Sequence, residues 1–239
     1  MFLKFRSQKF HSIDKLQFHP ILNRISLLNL ILTNRAILYI IIRIGGIIMI
    51  NITLSSLRSL GEDNGTHFFG SPMVTKKIAK TKFNKEELFV GQINLSDIKP
   101  FDKEDLLPDD GMLYVFYDVF AHTYTLFFTE DEPTEFLEGF NKKFENFRYD
   151  NALALGLRNP KDEDEKNEVC TKMLAPLPES VANLLNNPDE FVCLFTFIPS
   201  IMDDLGRPFL MRIKECSCVI IKKKHLLKKK FHKAVTVNV

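Results

Sequence analysis

The stretch Leu107–Thr129, LPDDGMLYVFYDVFAHTYTLFFT, decides how the rest of the chain is read. It opens on a turn, Leu107-Pro108-Asp109-Asp110-Gly111, in which Pro fixes φ, Asp bonds its own backbone and Gly takes φ > 0. Met112–Asp118 and Tyr124–Thr129 follow, rich in aromatic and β-branched residues. Such content suits strands, and Val119–Thr123 is short enough to join them as a hairpin. Both runs are apolar nearly throughout, so the sequence predicts a pair buried on both faces.

Working outward, Glu87–Leu95 reads as another strand. Gly61–Gly65 is a turn-rich loop, and Gly70 and Pro72 keep Thr66–Pro72 out of a helix. Downstream, Phe136, Leu137, Phe140 and Phe144 fall at helical spacing, which predicts an amphipathic helix over Pro133–Phe144. Asn159–Asn167 is a charged loop, and Pro178–Leu185 a short helix with Pro and Glu in its first turn. Phe191–Ile198, Pro208–Ile213, Cys218–Lys222 and Ala234–Val239 read as further strands. Short strands and frequent turns give an α+β fold, mainly antiparallel β-sheet with a few short helices. A degenerate internal duplication is part of the expectation. It pairs Phe89–Leu95 plus Gly111–Tyr117 with Phe191–Phe197 plus Ser217–Ile221.

Charge is unevenly placed. The net charge is +2, with 22 Phe and no Trp among 239 residues. Met1–Ile48 holds seven Lys/Arg and one acid, Asp14, while Arg207–Lys233 holds ten Lys/Arg and one acid, Glu215. The remainder carries fifteen Lys/Arg against twenty-eight Asp/Glu. A nucleic-acid binder would spread its basic residues over a face of the domain, so no nucleic-acid partner is expected.

Residues 1–48 are rich in Ile, Leu, Asn, Arg and Lys and poor in acid, as translated AT-rich non-coding DNA is. They end Gly45-Gly46-Ile47-Ile48 before Met49, where glycine codons GGA-GGx would form a ribosome-binding sequence. The expectation is a true start at Met49, with 49–239 a single domain. The alternatives are a disordered or amphipathic leader, or a membrane anchor over residues 36–54, where Arg43 would cost about 2.5–3.5 kcal/mol. Cytoplasmic localisation and no membrane partner follow from the Met49 start; no cofactor is expected, as neither a P-loop nor a GxGxxG occurs.

The chain resembles the YwqG-like family, a bacterial domain family of unknown function. The resemblance rests on Gly70-Ser71-Pro72, Gly91-Gln92-Ile93-Asn94-Leu95, Leu107-Pro108-Asp109-Asp110-Gly111 and Leu113-Tyr114-Val115-Phe116-Tyr117-Asp118. It is weaker in the back half, at Leu194-Phe195-Thr196, Glu215-Cys216-Ser217 and Val219-Ile220-Ile221. It covers roughly Gly61–Val239.

Candidate chemistry is sparse. Gln92 and Asn94 share a strand face and, with Tyr117, form the ligand-binding set. Against this, both amides could simply satisfy neighbouring backbone. His67 lies beside Phe68-Phe69-Gly70 without a nucleophile elbow, and reads as a packing histidine. Cys170, Cys193, Cys216, Cys218 and His122 lack paired zinc-ligand spacing, so the cysteines read as reduced thiols and no metal is expected. No catalytic residue is nominated. Acidic clusters at Asp109-Asp110, Glu130-Asp131-Glu132 and Asp203-Asp204 read as solvated turns. In Lys222–Lys230 two leucines sit between lysine triplets, with the leucines expected to dock inward and the lysines to form a solvated rim. The alternatives are pairing with the acidic middle of the domain, or a patch that meets phosphate or an acidic partner. The functional expectation is a non-catalytic protein-interaction module, by analogy with immunity-type proteins. The alternative is a small-molecule-binding domain or enzyme using a cleft between the two halves.

Overall fold

A computed structural model of the chain describes residues 49–55, 65–81, 83, 86–141, 144, 152–166, 170–198, 201–202, 208–209 and 217–238. The chain divides into two units, Met1–Gly46 and Ile47–Val239. The described residues lie in the second. The expectations for residues 1–48, for the Gly61–Asn64 part of the loop, for Asp203-Asp204, for residues 210–213 and for Cys216 fall outside them.

Ten strands form one sheet: β1 (Ile50–Ser55), β2 (His67–Phe68), β4 (Leu88–Asn94), β5 (Met112–Asp118), β6 (Thr123–Thr129), β8 (Leu153–Arg158), β9 (Thr171–Ala175), β10 (Phe191–Phe197), β13 (Ser217–Lys222) and β14 (Val235–Asn238). Their order is β14-β13-β10-β9-β1-β8-β2-β4-β5-β6. Every pairing in it is antiparallel. Two small pairs stand apart: β3 (Met73–Val74) with β7 (Glu135–Phe136), and β11 (Ile201–Met202) with β12 (Pro208–Phe209). Five short helices are described: α1 (Lys76–Thr81), α2 (Leu95–Ile98), α3 (Glu163–Lys166), α4 (Glu179–Ala182) and α5 (Lys223–Leu226). The class is therefore the expected one, mostly antiparallel sheet with few short helices.

The sheet curls into a nearly closed barrel. Its two end strands meet at a seam carried by one hydroxyl. The Tyr124 N–H donates to Thr236 Oγ1 at 2.7 Å, and that hydroxyl donates back to the Tyr124 carbonyl at 3.3 Å. Closure covers strand edges that would otherwise offer unpaired backbone to another chain.

Alternation along each strand sends one set of side chains inside. Leu113, Val115 and Tyr117 of β5 face Phe128, Leu126 and Tyr124 of β6 and join the interior cluster with Leu88, Phe195, Phe197 and Val219. A ladder of rings crosses this core. Phe195 stacks on Phe197 at 5.2 Å, Phe197 on Tyr124 at 4.3 Å, and Tyr124 lies against Tyr117 at 4.8 Å. Each such buried side chain stabilises by roughly 1.5–3 kcal/mol. Leu95, Ile98, Leu226 and Phe231, which lie in or beside α2 and α5, pack into the same core.

Two outer faces are also covered. Phe89, Tyr114 and Phe116 lie beneath Val74, Ile78 and Phe140, with Phe83 edge-on to Tyr114, Phe116 and Phe140. Cys193, Cys218 and Ile220 lie beneath Val181, Leu177 and Leu185, around α4.

The β4–β5 and β10–β13 ladders share a register. The offset that carries Leu88↔Tyr117 to Val192↔Ile221 also carries Phe89↔Phe116 to Cys193↔Ile220, Gly91↔Val115 to Phe195↔Val219, and Gln92↔Tyr114 to Thr196↔Cys218. Each ladder shifts at the corresponding step, between Phe89 and Gly91 and between Cys193 and Phe195. In the first ladder the bulge frees the Phe89 backbone. Asn141 satisfies it, accepting from Phe89 N–H and donating to Phe89 C=O, both at 3.0 Å.

Several local expectations change. Residues 133–141 are not a helix: Glu135–Phe136 pairs with Met73–Val74, and Gly139 has φ +68°. Backbone bonds from Thr134 N–H to Val74 C=O and from Leu137 N–H to Pro72 C=O hold the segment extended. The charged loop contains α3. The strand β6 is not buried on both faces, because it borders the seam: Thr123 and Thr125 are exposed, and Phe127 is half-buried. The strands β8 and β9 are not among the expected elements, and neither is the sheet strand β1, which starts one residue after Met49. The first residues of β1 fall within the 36–54 span considered for a membrane anchor. Among the described residues no helix is long and apolar enough to cross a membrane.

Gly111 adopts φ +104°, and a Cβ there would sit 2.6 Å from Phe128 and 2.9 Å from the Thr129 carbonyl. Gly111→Val should therefore lower stability by more than the ~0.5–1 kcal/mol of an ordinary Gly/Ala backbone effect. Unfolding at the wild-type temperature would refute the turn geometry. Phe116→Ala should cost about 3–5 kcal/mol. Phe127→Ala should cost clearly less, and equal losses in denaturant melts would show that Phe127 is as deeply packed as Phe116. Asn141→Ala, which strands the buried Phe89 backbone, should cost about 1–3 kcal/mol. Neutrality in the same melts would refute the clamp.

Candidate functional site

The polar residues nominated on β4 lie on the outer face of the sheet. Gln92 is fully buried. Its Oε1 accepts from Met73 N–H at 2.7 Å, and its Nε2 donates to the Gly65 carbonyl at 3.1 Å. Tyr114, opposite it in register, donates its hydroxyl to the Met73 carbonyl at 2.7 Å. Together the two side chains hold both polar groups of Met73 and so fix β3 against the barrel. Burial raises the Tyr114 phenol well above its ordinary value and keeps it neutral.

Asn94 ends β4 and caps α2. Its Oδ1 accepts from the Ser96 N–H at 3.1 Å and from the Ser96 hydroxyl at 2.7 Å. Tyr117 belongs to the opposite, interior face, where its hydroxyl meets His122 Nδ1 at 2.8 Å. The structure thus brings Gln92 and Asn94 to one face and does not bring Tyr117 to them.

His67 is buried in β2 beside Gln92. Its Nδ1 lies 3.3 Å from the Gly65 carbonyl, and its ring meets Phe89 edge-on at 6.1 Å. Burial outweighs nearby carbonyls and lowers its pKa, so the ring stays neutral. Cys193 and Cys218 are buried thiols, and Cys170 is half-buried. His122 sits in the β5–β6 hairpin, away from them along the chain. Among the described residues no group of three or more His, Cys, Asp or Glu is placed to hold a metal.

One exposed feature among the described residues is the lysine-rich turn after β13. The short helix α5 begins as soon as β13 ends, and Leu226 seats it on the core at 2% exposure. Leu227 does not dock as its neighbour does: it is 78% exposed. Lys223, Lys224, Lys228, Lys230 and Lys233 surround it and are exposed. Two lysines of the segment are paired, Lys222 with Glu190 at 3.1 Å and Lys229 with Glu130. The Glu130 bond raises the Lys229 pKa, while burial and the surrounding lysines lower that of His225. Next to this ledge Lys99 bridges Asp105 and Asp109 in the turn before β5. The lysine run was visible in the sequence. The outward turn of Leu227 was not, because it depends on how α5 is seated.

The profile of one family, described as "Domain of unknown function (DUF1963)", matches residues 66–197. No curated protein matches the chain. The match runs from β2 through β10 and stops short of β13, the lysine ledge and β14. Spanning more than half of the chain, it shows that the protein belongs to the DUF1963 family, a domain family of unknown function.

Proposed function

We propose that this domain is a non-catalytic protein-interaction module that docks an acidic partner protein on the Lys223–Lys233 ledge. The observation that carries this reading is a cluster of five exposed lysines around an exposed leucine, on a turn whose neighbour Leu226 is anchored in the core. Rim charge steers encounter and sets salt dependence, and a central apolar side chain adds buried area once docked. The ledge is rigidly held, so little ordering is needed on binding. In this reading Gln92, Asn94 and Tyr114 serve the scaffold: the polar groups that a ligand cleft would need are engaged with backbone and a helix cap.

The same proposal extends to the architecture. The shared register and matched bulges of β4–β5 and β10–β13 support a degenerate internal duplication. The motifs of the front half support a place near the YwqG-like group. Reduced thiols at Cys193 and Cys218 suit a reducing, cytoplasmic setting.

The test replaces Lys223, Lys224, Lys228 and Lys230 by Gln in one variant and Leu227 by Asp in another. Both should unfold close to wild type, since surface substitutions are usually worth under ~0.5 kcal/mol each. A partner captured from the native host and then purified should bind wild type with an affinity that falls steeply with salt. The Gln variant should lose both the affinity and the salt slope, and the Asp variant the affinity alone. Undiminished binding by both variants would overturn the assignment of the ledge.

A further inference from the structure

The second outer face holds a pair of thiols that the docking reading does not use. Cys193 and Cys218 sit on neighbouring strands, β10 and β13, and both point away from the barrel interior into the cluster under α4. In register Cys218 faces Thr196, and Cys193 faces Ile220. The two cysteines are therefore diagonal neighbours, and the bulge between Cys193 and Phe195 draws Cys193 toward Thr196. Both sulfurs lie beside the same hydroxyl: Cys193 Sγ is 3.4 Å from Thr196 Oγ1, and that hydroxyl is 4.0 Å from Cys218 Sγ. Cys193 also donates to the Phe195 carbonyl at 3.3 Å, which fixes its rotamer.

A purely apolar core would not need this arrangement. At the corresponding positions of the first ladder, Phe89 and Tyr114 fill the space with rings and Gln92 holds the backbone of β3. The second ladder has two thiols and a threonine hydroxyl, bonded to one another. We infer that Cys193 and Cys218 are a redox-active dithiol that closes to an intramolecular disulfide under peroxide, with Cys218 the attacking sulfur and Cys193 the resolving one.

The roles follow from the local electrostatics. The neighbouring Cys193 thiol and the Thr196 hydroxyl, which is free to donate to Cys218, lower the Cys218 pKa and favour its thiolate, while the Cys193 proton is held by the Phe195 carbonyl. The Cys218 contact, with burial, raises Cys193 and keeps it protonated. In the first step the Cys218 thiolate attacks a peroxide oxygen. An S–O bond forms and the O–O bond breaks, leaving a sulfenic acid at Cys218; the departing hydroxide takes a proton and leaves as water. In the second step the Cys193 sulfur attacks the Cys218 sulfur. The S–S bond forms, the S–O bond breaks, and the departing hydroxide carries off the Cys193 proton as a second water. Two thiols are oxidised by two electrons, and one hydrogen peroxide is reduced to two waters.

Both thiols are covered by Leu177, Val181 and Leu185, and α4 contributes only four residues to that cover. Peroxide therefore reaches the pair when this short segment opens locally, an event that costs less than global unfolding. Once formed, the disulfide ties β10 to β13.

The test treats the purified full-length protein with hydrogen peroxide under native conditions, followed by alkylation in denaturant and non-reducing peptide mass mapping. The expected product is a single cross-link between Cys193 and Cys218, reversed by dithiothreitol. Cys193→Ala should stop the reaction at a sulfenic acid on Cys218 that dimedone captures, and Cys218→Ala should give no dimedone adduct at Cys193. Cross-links that run to Cys170 or Cys216 would overturn the proposal. So would Cys193 and Cys218 that remain fully alkylatable while peroxide is consumed elsewhere. Because the first measurement uses the wild type, a variant that fails to fold does not decide the outcome.

Discussion

The bond pair between Thr236 Oγ1 and the backbone of Tyr124 joins the two end strands of the barrel, β6 and β14. Beside it Phe128 packs against Phe231 at 5.1 Å and Lys229 pairs with Glu130, and beneath it the rings of Tyr124 and Phe197 stack. A side-chain hydroxyl can both accept and donate. Thr236 thus serves the N–H and the C=O of one residue where the strands are not in ladder contact. The cost of leaving two backbone groups unpaired at a half-buried seam is about 1–3 kcal/mol each, so the closure is worth more than its two bonds suggest. The interior cluster then packs as one core around Leu88, Tyr117, Phe195 and Val219.

Closing the barrel leaves its outer faces to be covered. Each face is covered by a different device, although the ladders beneath share their register. On β4–β5 the bulge at Val90 is satisfied by Asn141, and Gln92 and Tyr114 hold Met73, so an added strand pair and α1 lie over Phe89 and Phe116. On β10–β13 the bulge carries Cys193, and the cover is the thinner segment around α4. Polar bonding to backbone makes the first cover specific. The second is held mainly by apolar contact, which is less directional.

Much of this was legible where local chemistry and tertiary demand agree. The Pro108–Gly111 turn and the aromatic runs around it marked the β5–β6 hairpin to within a residue, because turn type and β-propensity both act locally. The reading failed where the tertiary partner decides. Phe136, Leu137, Phe140 and Phe144 fit a helical period, yet the segment runs extended because Met73–Val74 offers it backbone to pair with. The sequences of β8 and β9, LALGLR and TKMLA, carry little β-propensity and become strands because β1 needs partners on both sides. Gln92 and Asn94 were recognisable as a polar pair on one face. The engagement of Gln92 with Met73 and Gly65 was not, since it depends on chain segments that meet only in the folded barrel, whereas the Asn94 cap on Ser96 is a local bond. Tyr117 was expected to line one cleft with them, and the bulge at Val90 and strand alternation put it on the other face.

The seam is tested most directly by hydrogen exchange at one amide. In wild type the Tyr124 N–H should be protected to a degree comparable with the ladder amides of β5. In Thr236→Val it should exchange far faster, while the β4–β5 ladder amides keep most of their protection. A Tyr124 amide that exchanges in the wild type as freely as the exposed hairpin around Ala121 would contradict the closed barrel.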